Sequence, residues 1–89
     1  MNATPVPAFE RGVRLREEAD GSAVLLVPEG VVRLNASAVA ALRLLDGRRS
    51  IDDIVSALRE SGYDAPEDHI AEDVRELFVR LRERRLVRW

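Results

Sequence analysis

The chain has 89 residues, of which 46% are hydrophobic and 34% charged, and its net charge is -2. This length and composition predict one soluble globular domain with a small core. All 14 basic residues are arginine and face 16 acidic residues, so the overall charge does not favour polyanionic partners. The chain has no cysteine, which excludes disulfides, thiolate metal sites and cysteine nucleophiles.

The N-terminal segment has neither a basic start nor the apolar stretch of a secretory signal. Pro5 and Pro7 favour a loose extended segment, and we expect residues 1–8 to form a flexible tail before a single domain over residues 9–89. No apolar run approaches the roughly 20 residues that a membrane-spanning helix needs. We therefore expect a cytoplasmic protein without a membrane segment.

Three short extended segments are predicted in the N-terminal half of the chain. Residues 13–16 alternate apolar and arginine side chains, and residues 23–27 form a denser apolar run after an Asp-Gly turn signal at residues 20–21. A Pro-Glu-Gly turn at residues 28–30 leads into a third segment over residues 31–34. Together these segments predict a three-stranded antiparallel sheet.

Two short helices are predicted after the strands. Asn35 is suited to cap the first helix, because its side chain can accept a hydrogen bond from a free N–H, and an Asp-Gly pair at residues 46–47 should end this helix near Leu45. Ser50 begins the second helix, with Asp53 at the spacing of a capping box. The apolar residues expected in the core are Ala38, Val39, Leu42, Leu45, Ile51, Ile54, Val55 and Leu58.

A long third helix is predicted to run to about Arg84. Asp64 with Glu67 has the spacing of a box-like start, and Pro66 suits a first helical turn. Residues 86–89 after the helix fit either a short strand or a docked tail. The apolar side chains of the helix fall within an arc of roughly 120° and predict one buried face, formed by Ile70, Val74, Leu77, Phe78 and Leu81.

Strands followed by three helices predict an α+β fold, with an N-terminal three-stranded antiparallel sheet and a winged-helix-like three-helix bundle. A winged-helix DNA-binding regulator is therefore one alternative. The leading half of the third helix is mostly acidic, however, with Glu72, Asp73 and Glu76 beside Arg75, and this charge opposes docking on phosphates. We therefore expect no nucleic-acid partner.

The sequence lacks the side-chain clusters that are typical of enzymes and metal sites. His69, the only imidazole, lies in an acidic part of the third helix, where a solvated surface position is the simpler interpretation. Neither Asp52 with Asp53 nor Asp68 with Glu72 is accompanied by a histidine or by a loop of carbonyl ligands. We predict a protein that is not an enzyme, with no catalytic residue, no metal and no cofactor.

The third predicted strand offers a surface for another chain. It consists of Val31, Val32, Arg33 and Leu34, and one of its edges is expected to be free to pair with an added peptide strand. The third helix is predicted to line the same site through Ala71, Val74, Arg75, Phe78 and Arg82. Core positions for the apolar members and ordinary solvated positions for the arginines are the alternatives.

Taken in order, these segments resemble the PqqD family of pyrroloquinoline quinone biosynthesis. The resemblance covers about residues 8–88 and depends most on three stretches: the LVPEG turn at residues 26–30, the Leu-Asn entry to the first helix at residues 34–35, and the Asp-Gly-Arg-Arg-Ser link at residues 46–50. Similar domains occur in other peptide-modification pathways. A recognition domain of such a pathway is therefore a further alternative.

The resemblance implies a peptide chaperone. Such a protein binds the ribosomally made precursor peptide PqqA and presents it to the radical S-adenosylmethionine enzyme PqqE, which cross-links a Glu and a Tyr of the peptide. In related domains the peptide adds a strand beside the third strand and packs on the third helix, which correspond here to residues 31–34 and 71–82. Any iron–sulfur cluster would belong to the partner enzyme. The sequence has no oligomer signature and fits a monomer or a homodimer.

Overall fold

The structure, a computed structural model, describes residues 5–61 and 67–89. The predicted α+β architecture is confirmed in these residues, because an antiparallel sheet precedes three helices. The helix start expected from Asp64, Pro66 and Glu67 lies outside the described residues, except for the backbone of Glu67. The elements in chain order are β1 Ala8–Phe9, β2 Arg14–Glu17, β3 Ala23–Val27, β4 Gly30–Arg33, α1 Ala36–Leu42, α2 Ile51–Glu60, α3 Glu67–Glu83 and β5 Val87–Arg88.

The main sheet has three antiparallel strands in the order β2-β3-β4. Leu25 of β3 lies opposite Leu15 on one side and Val32 on the other, so these three side chains share one face of the sheet. Leu25 is fully buried and belongs to the hydrophobic core, against which Leu15 and Val32 also pack. This inner face therefore joins the sheet to the helices.

The two short helices begin at the predicted caps. The Asn35 side chain accepts a hydrogen bond from the Ala38 N–H at 2.8 Å. The Ser50 hydroxyl accepts from the Asp53 N–H, and the Asp53 carboxylate accepts from the Ser50 N–H, both at 3.0 Å. The predicted capping box is thus confirmed, and each cap satisfies N–H groups that have no partner within the helix.

The first helix ends at Leu42, three residues before the predicted end at Leu45. The chain tightens here, because the Leu45 N–H donates to the Leu42 carbonyl at 3.2 Å across three residues rather than four. The Asp46 carboxylate then accepts hydrogen bonds from the N–H groups of Arg49 and Arg48, which hold the pKa of this carboxyl below its usual value. These local bonds replace a further helical turn.

The core lies between the inner face of the sheet and the three helices. Phe78 of α3 is fully buried, together with Leu42 of α1 and Ile54 of α2. Each helix therefore contributes at least one side chain to the same interior, as the apolar spacing predicted. None of the described helices is both long enough and apolar enough to cross a membrane.

The two chain ends meet in a second, two-stranded sheet that pairs β1 with β5. Phe9 lies opposite Val87, which confirms a strand as the state of the final segment. Pro7 is fully buried, and the Pro5 carbonyl accepts a hydrogen bond from the Ile51 N–H at 2.9 Å. Residues 5–8, which were expected in the tail, thus contact the domain in this structure, and the flexible tail stays a prediction for residues 1–4.

The capping box of α2 can be tested by substitution. Ser50 is buried, with 6% of its surface exposed, so replacing it by alanine leaves the Asp53 N–H without its partner. Ser50→Ala should lower the free energy of unfolding by about 1 kcal/mol in urea denaturation. Ser56→Ala, at an exposed position within the same helix, is the matched control and should change it little. Equal effects of the two substitutions would contradict the capping box.

Candidate functional site

The central strand β3 shows which backbone groups of the sheet are already paired. At the β2–β3 turn the Glu18 N–H donates to the Ser22 carbonyl at 2.8 Å, so these two residues form a hydrogen-bonded pair. In an antiparallel ladder such pairs alternate with non-bonded pairs. Counting along the register, Val24 directs its backbone groups toward β2, and Leu25 directs its groups toward β4.

The same alternation identifies the free groups of β4. Leu25 lies opposite Val32, so the Val32 N–H and carbonyl are used within the sheet. The backbone groups of Val31 and Arg33 therefore point away from β3. In the described part of the chain β4 pairs with β3 alone, which leaves these N–H and carbonyl groups at an unpaired edge.

A groove of about 540 Å³ runs beside this edge, between β4, the start of α1 and one side of α3. Five of its lining residues are large and apolar: Val32, Leu34, Val74, Leu77 and Leu81. Their side chains are buried or half-buried and contact the core, so they form a fixed apolar floor. An unpaired strand edge above an apolar floor is the geometry that accepts an extended peptide as an added strand.

Charged side chains follow the groove along α3 in an ordered way. Asp73 and Glu76 lie toward the start of the helix, whereas Arg80 and Arg84 lie toward its end. At 1.5 Å per residue the outermost two charges are separated by about 16 Å along the helix axis. Glu76 and Arg80 approach to 3.8 Å where the two signs meet, and both side chains are exposed. The groove is therefore negative at one end and positive at the other.

The structure brings together only some of the residues predicted for the site. Val32, Arg33, Leu34 and Val74 line the groove, and Val31 contributes its outward backbone groups. Phe78 is fully buried in the core, which is the alternative that the apolar pattern also allowed. The strand itself spans Gly30–Arg33, one residue earlier at each end than predicted, and the residues that α3 contributes differ from those predicted.

Ala71, Arg75 and Arg82 do not line the groove beside β4. The Arg75 guanidinium donates to the Asp52 carboxylate of α2 at 3.0 Å, and Arg82 lies 4.6 Å above the Trp89 ring. Because successive helical residues are turned by 100°, Arg75 and Arg82 lie on the far side of α3 from Leu77. The structure therefore places the groove on the opposite flank of the apolar arc.

The lining residues that were not predicted for the site are Asn35, Ser37, Ala38, Asp73, Glu76, Leu77, Arg80, Leu81 and Arg84. Leu77 had been placed in the buried arc, but as a core residue rather than as part of a binding surface. Both flanks of the arc carry charged residues at helical spacing, so periodicity alone does not distinguish them. The packing of α2 against one flank leaves the other flank to β4.

The groove offers groups that can hold an extended peptide. It combines backbone donors and acceptors, apolar side chains and exposed charges. In residues 5–61 and 67–89, no three histidine or carboxylate side chains lie close enough to hold a metal ion. His69 is exposed and is not among the groove residues.

Comparison with protein families identifies the family of the chain. The model of the family described as Coenzyme PQQ synthesis protein D (PqqD) matches residues 22–87. The chain belongs to the PqqD family. The matched stretch contains β4 and α3, and therefore both walls of the groove.

Curated relatives match almost the whole PqqD-family chain. The PqqA binding protein of Azotobacter vinelandii (strain DJ / ATCC BAA-1303) is 49% identical over 80 residues, covering 89% of this chain and 85% of that protein. The PqqA binding protein of Rhizobium meliloti (strain 1021) is 40% identical over 88 residues, covering 98% and 89%. The similarity thus extends over nearly the whole chain.

Solved structures share the fold. The NMR structure of the PqqD truncation of Methylobacterium extorquens PqqCD, a stand-alone RiPP recognition element, has a TM-score of 0.77 at 34% identity, covering 98% of this chain and 96% of that one. PqqD from Xanthomonas campestris has a TM-score of 0.60 at 36% identity, with 100% and 99% covered. Lasso peptide synthetase B1, complexed with a leader peptide, has a TM-score of 0.75 at 21% identity, covering 94% and 99%, and shares the fold alone.

Amide exchange should distinguish the two kinds of backbone group in β4. The Val32 N–H is bonded within the sheet and should exchange slowly, whereas the Val31 and Arg33 N–H groups face solvent and should exchange much faster. Hydrogen–deuterium exchange followed by NMR measures all three in one experiment. A protected Arg33 amide in the free monomer would contradict the unpaired edge.

Proposed function

We propose that this protein binds the precursor peptide PqqA as an added strand on β4 and presents it to the radical S-adenosylmethionine enzyme PqqE. The observation that carries the proposal is the unpaired edge at Val31 and Arg33 beside an apolar groove. An extended peptide obtains main-chain hydrogen bonds from such an edge and side-chain contacts from the floor. The relatives named PqqA binding protein support this choice of peptide.

The groove also favours a particular pattern in the bound segment. Alternate side chains of an added strand would point into the floor, so apolar residues at every second position suit Leu34, Val74 and Leu77. Basic side chains suit the end of the groove near Asp73, and acidic side chains suit the end near Arg84. The charges would thus set the direction of the peptide, while the apolar contacts provide most of its affinity.

The role proposed here is that of a chaperone rather than of a catalyst. A peptide held by its main chain along β4 keeps its remaining length free for a second protein. The peptide-modifying chemistry would then take place in the partner enzyme, with this domain holding the leader part of the peptide. The backbone, apolar and charged groups of the groove support such a division of labour.

The edge can be tested with two prolines that differ only in which side of β4 they affect. Arg33→Pro removes an N–H that faces outward, and proline is tolerated at edge positions whose N–H is not used by the sheet. The variant should fold and bind PqqA about tenfold more weakly in isothermal titration, in line with about 1.4 kcal/mol for a lost hydrogen bond and poorer strand fit. Val32→Pro removes a bond to β3 and should instead destabilise the domain.

Binding of PqqA to the wild-type protein should also protect the Val31 and Arg33 amides, which amide exchange followed by NMR measures. A scrambled PqqA peptide and the leader peptide of a lasso pathway serve as controls for sequence preference. If the protein binds the lasso leader tightly and does not bind PqqA, a different peptide-modification pathway would be favoured. Unchanged PqqA affinity of a folded Arg33→Pro variant would reject strand addition at this edge.

The two flanks of α3 can be compared by reversing one charge on each. Arg80 lines the groove, whereas Arg75 pairs with Asp52 on the other flank. Arg80→Glu should weaken PqqA binding about three- to tenfold, by loss of an exposed charge contact and by repulsion. Arg75→Glu should change the affinity less than twofold, since its exposed ion pair stabilises the fold by at most about 1 kcal/mol. The reverse order of effects would return the peptide to the flank predicted from sequence.

A further inference from the structure

The three-stranded sheet has a second face that points away from the core. Side chains that lie opposite each other in the register share a face. This face carries two neighbouring rows, one formed by Arg14, Leu26 and Val31 and the other by Arg16, Val24 and Arg33. We call these six residues the outer sheet face. It shares β4 with the groove but lies on the other side of the sheet from the apolar floor.

The centre of the outer sheet face is apolar and lies outside the core. Val24 and Leu26 are only half-buried, and Val31 is 56% exposed. None of these three belongs to the core cluster or to the side chains that pack against it, whereas Leu15 and Val32 on the inner face do. One side of the sheet thus carries a row of apolar side chains that the described residues leave in contact with solvent.

The flanks of the outer sheet face are all positive. Within residues 5–61 and 67–89, Arg14 and Arg33 make no ion pair or side-chain hydrogen bond. Arg16 contacts Glu18 at 2.8 Å, and both of these side chains are well exposed. In a chain whose net charge is -2, three arginines therefore surround an apolar centre with one carboxylate beside them. This charge distribution is opposite in sign to that of the whole molecule.

We infer that the outer sheet face docks a protein surface on which aspartate or glutamate side chains surround an apolar residue. Arginine presents planar, paired donors that match a carboxylate, and an apolar centre with a charged rim is the usual anatomy of a protein interface. Nucleic acid fits less well, because the face has few charges and no aromatic side chain on which a base could stack.

We assign the outer sheet face to the enzyme PqqE. This assignment rests on the proposed function, in which PqqE is the protein partner. Presentation requires that peptide and enzyme be held at the same time. The groove lies on the core side of the sheet, and the outer sheet face lies on the opposite side, so β2 and β3 can contact the enzyme without covering the peptide. The carboxylates would belong to the enzyme.

The test reverses one charge at the edge of the sheet that is remote from the groove. Arg14→Glu lies on β2, which contributes no residue to the groove, and its side chain is exposed. We expect PqqE to bind this variant at least about tenfold more weakly in isothermal titration, with PqqA affinity unchanged. Arg48→Glu, an equal charge change in the exposed α1–α2 loop, is the matched control and should bind both partners normally.

Arg16→Glu provides a second variant on the same face, with a smaller expected loss because Glu18 already shares that arginine. Normal PqqE affinity in both folded variants, with PqqA binding intact, would overturn the inference and leave the proposed function standing. Absence of PqqA binding by the wild-type protein would instead reject the proposed function. Binding of a duplex DNA at low salt that is lost in Arg14→Glu would assign the face to nucleic acid and likewise overturn the inference.

Discussion

The hydrogen bonding of β3 on both of its sides is the constraint on which the rest of the structure depends. Its residues alternate between β2 and β4, and Leu25 at the same time anchors the sheet in the core. Once the inner face is buried in this way, a shift of one residue would expose the core side chains, so the register is strongly determined. The unpaired groups of Val31 and Arg33 follow from that register.

The second decisive feature is the choice of flank on α3. The buried arc of this helix faces the core, which leaves two charged flanks for neighbouring elements. One flank meets α2, where Arg75 contacts Asp52. The other flank faces β4 and carries an ordered change from negative to positive charge between Asp73 and Arg84. The direction proposed for the bound peptide therefore depends on these charges and not on the apolar floor.

The sheet separates two surfaces of different chemistry. Its inner side and β4 edge border a groove that carries both signs of charge, whereas its outer side carries arginine around an apolar centre. Because a short chain buries only a small core, a large part of its apolar surface stays at the periphery. Here that surface is divided between the floor of the groove and the outer sheet face, which lie on opposite sides of the sheet.

Local chemistry along the chain determined much of the fold. Asn35 and Ser50 mark helix starts because capping depends on residues only three positions apart, and the turn residues near Asp20 and Pro28 separate the strands for the same reason. A strand after the Pro28 turn also followed from this pattern, although it spans Gly30–Arg33 rather than residues 31–34. The end of α1 differed, since the tight bonds after Leu42 and the Asp46 turn compete closely with one more helical turn.

Only the tertiary structure decided which groups of β4 are free and which flank of α3 faces them. The first depends on the register of β3, which pairs with β2 on one side and with β4 on the other. The second depends on α2 occupying the side of α3 that carries Arg75. The pairing of Phe9 with Val87 likewise joins the two ends of the chain. Periodicity records which residues share a face, but contacts between residues distant in the chain determine what that face meets.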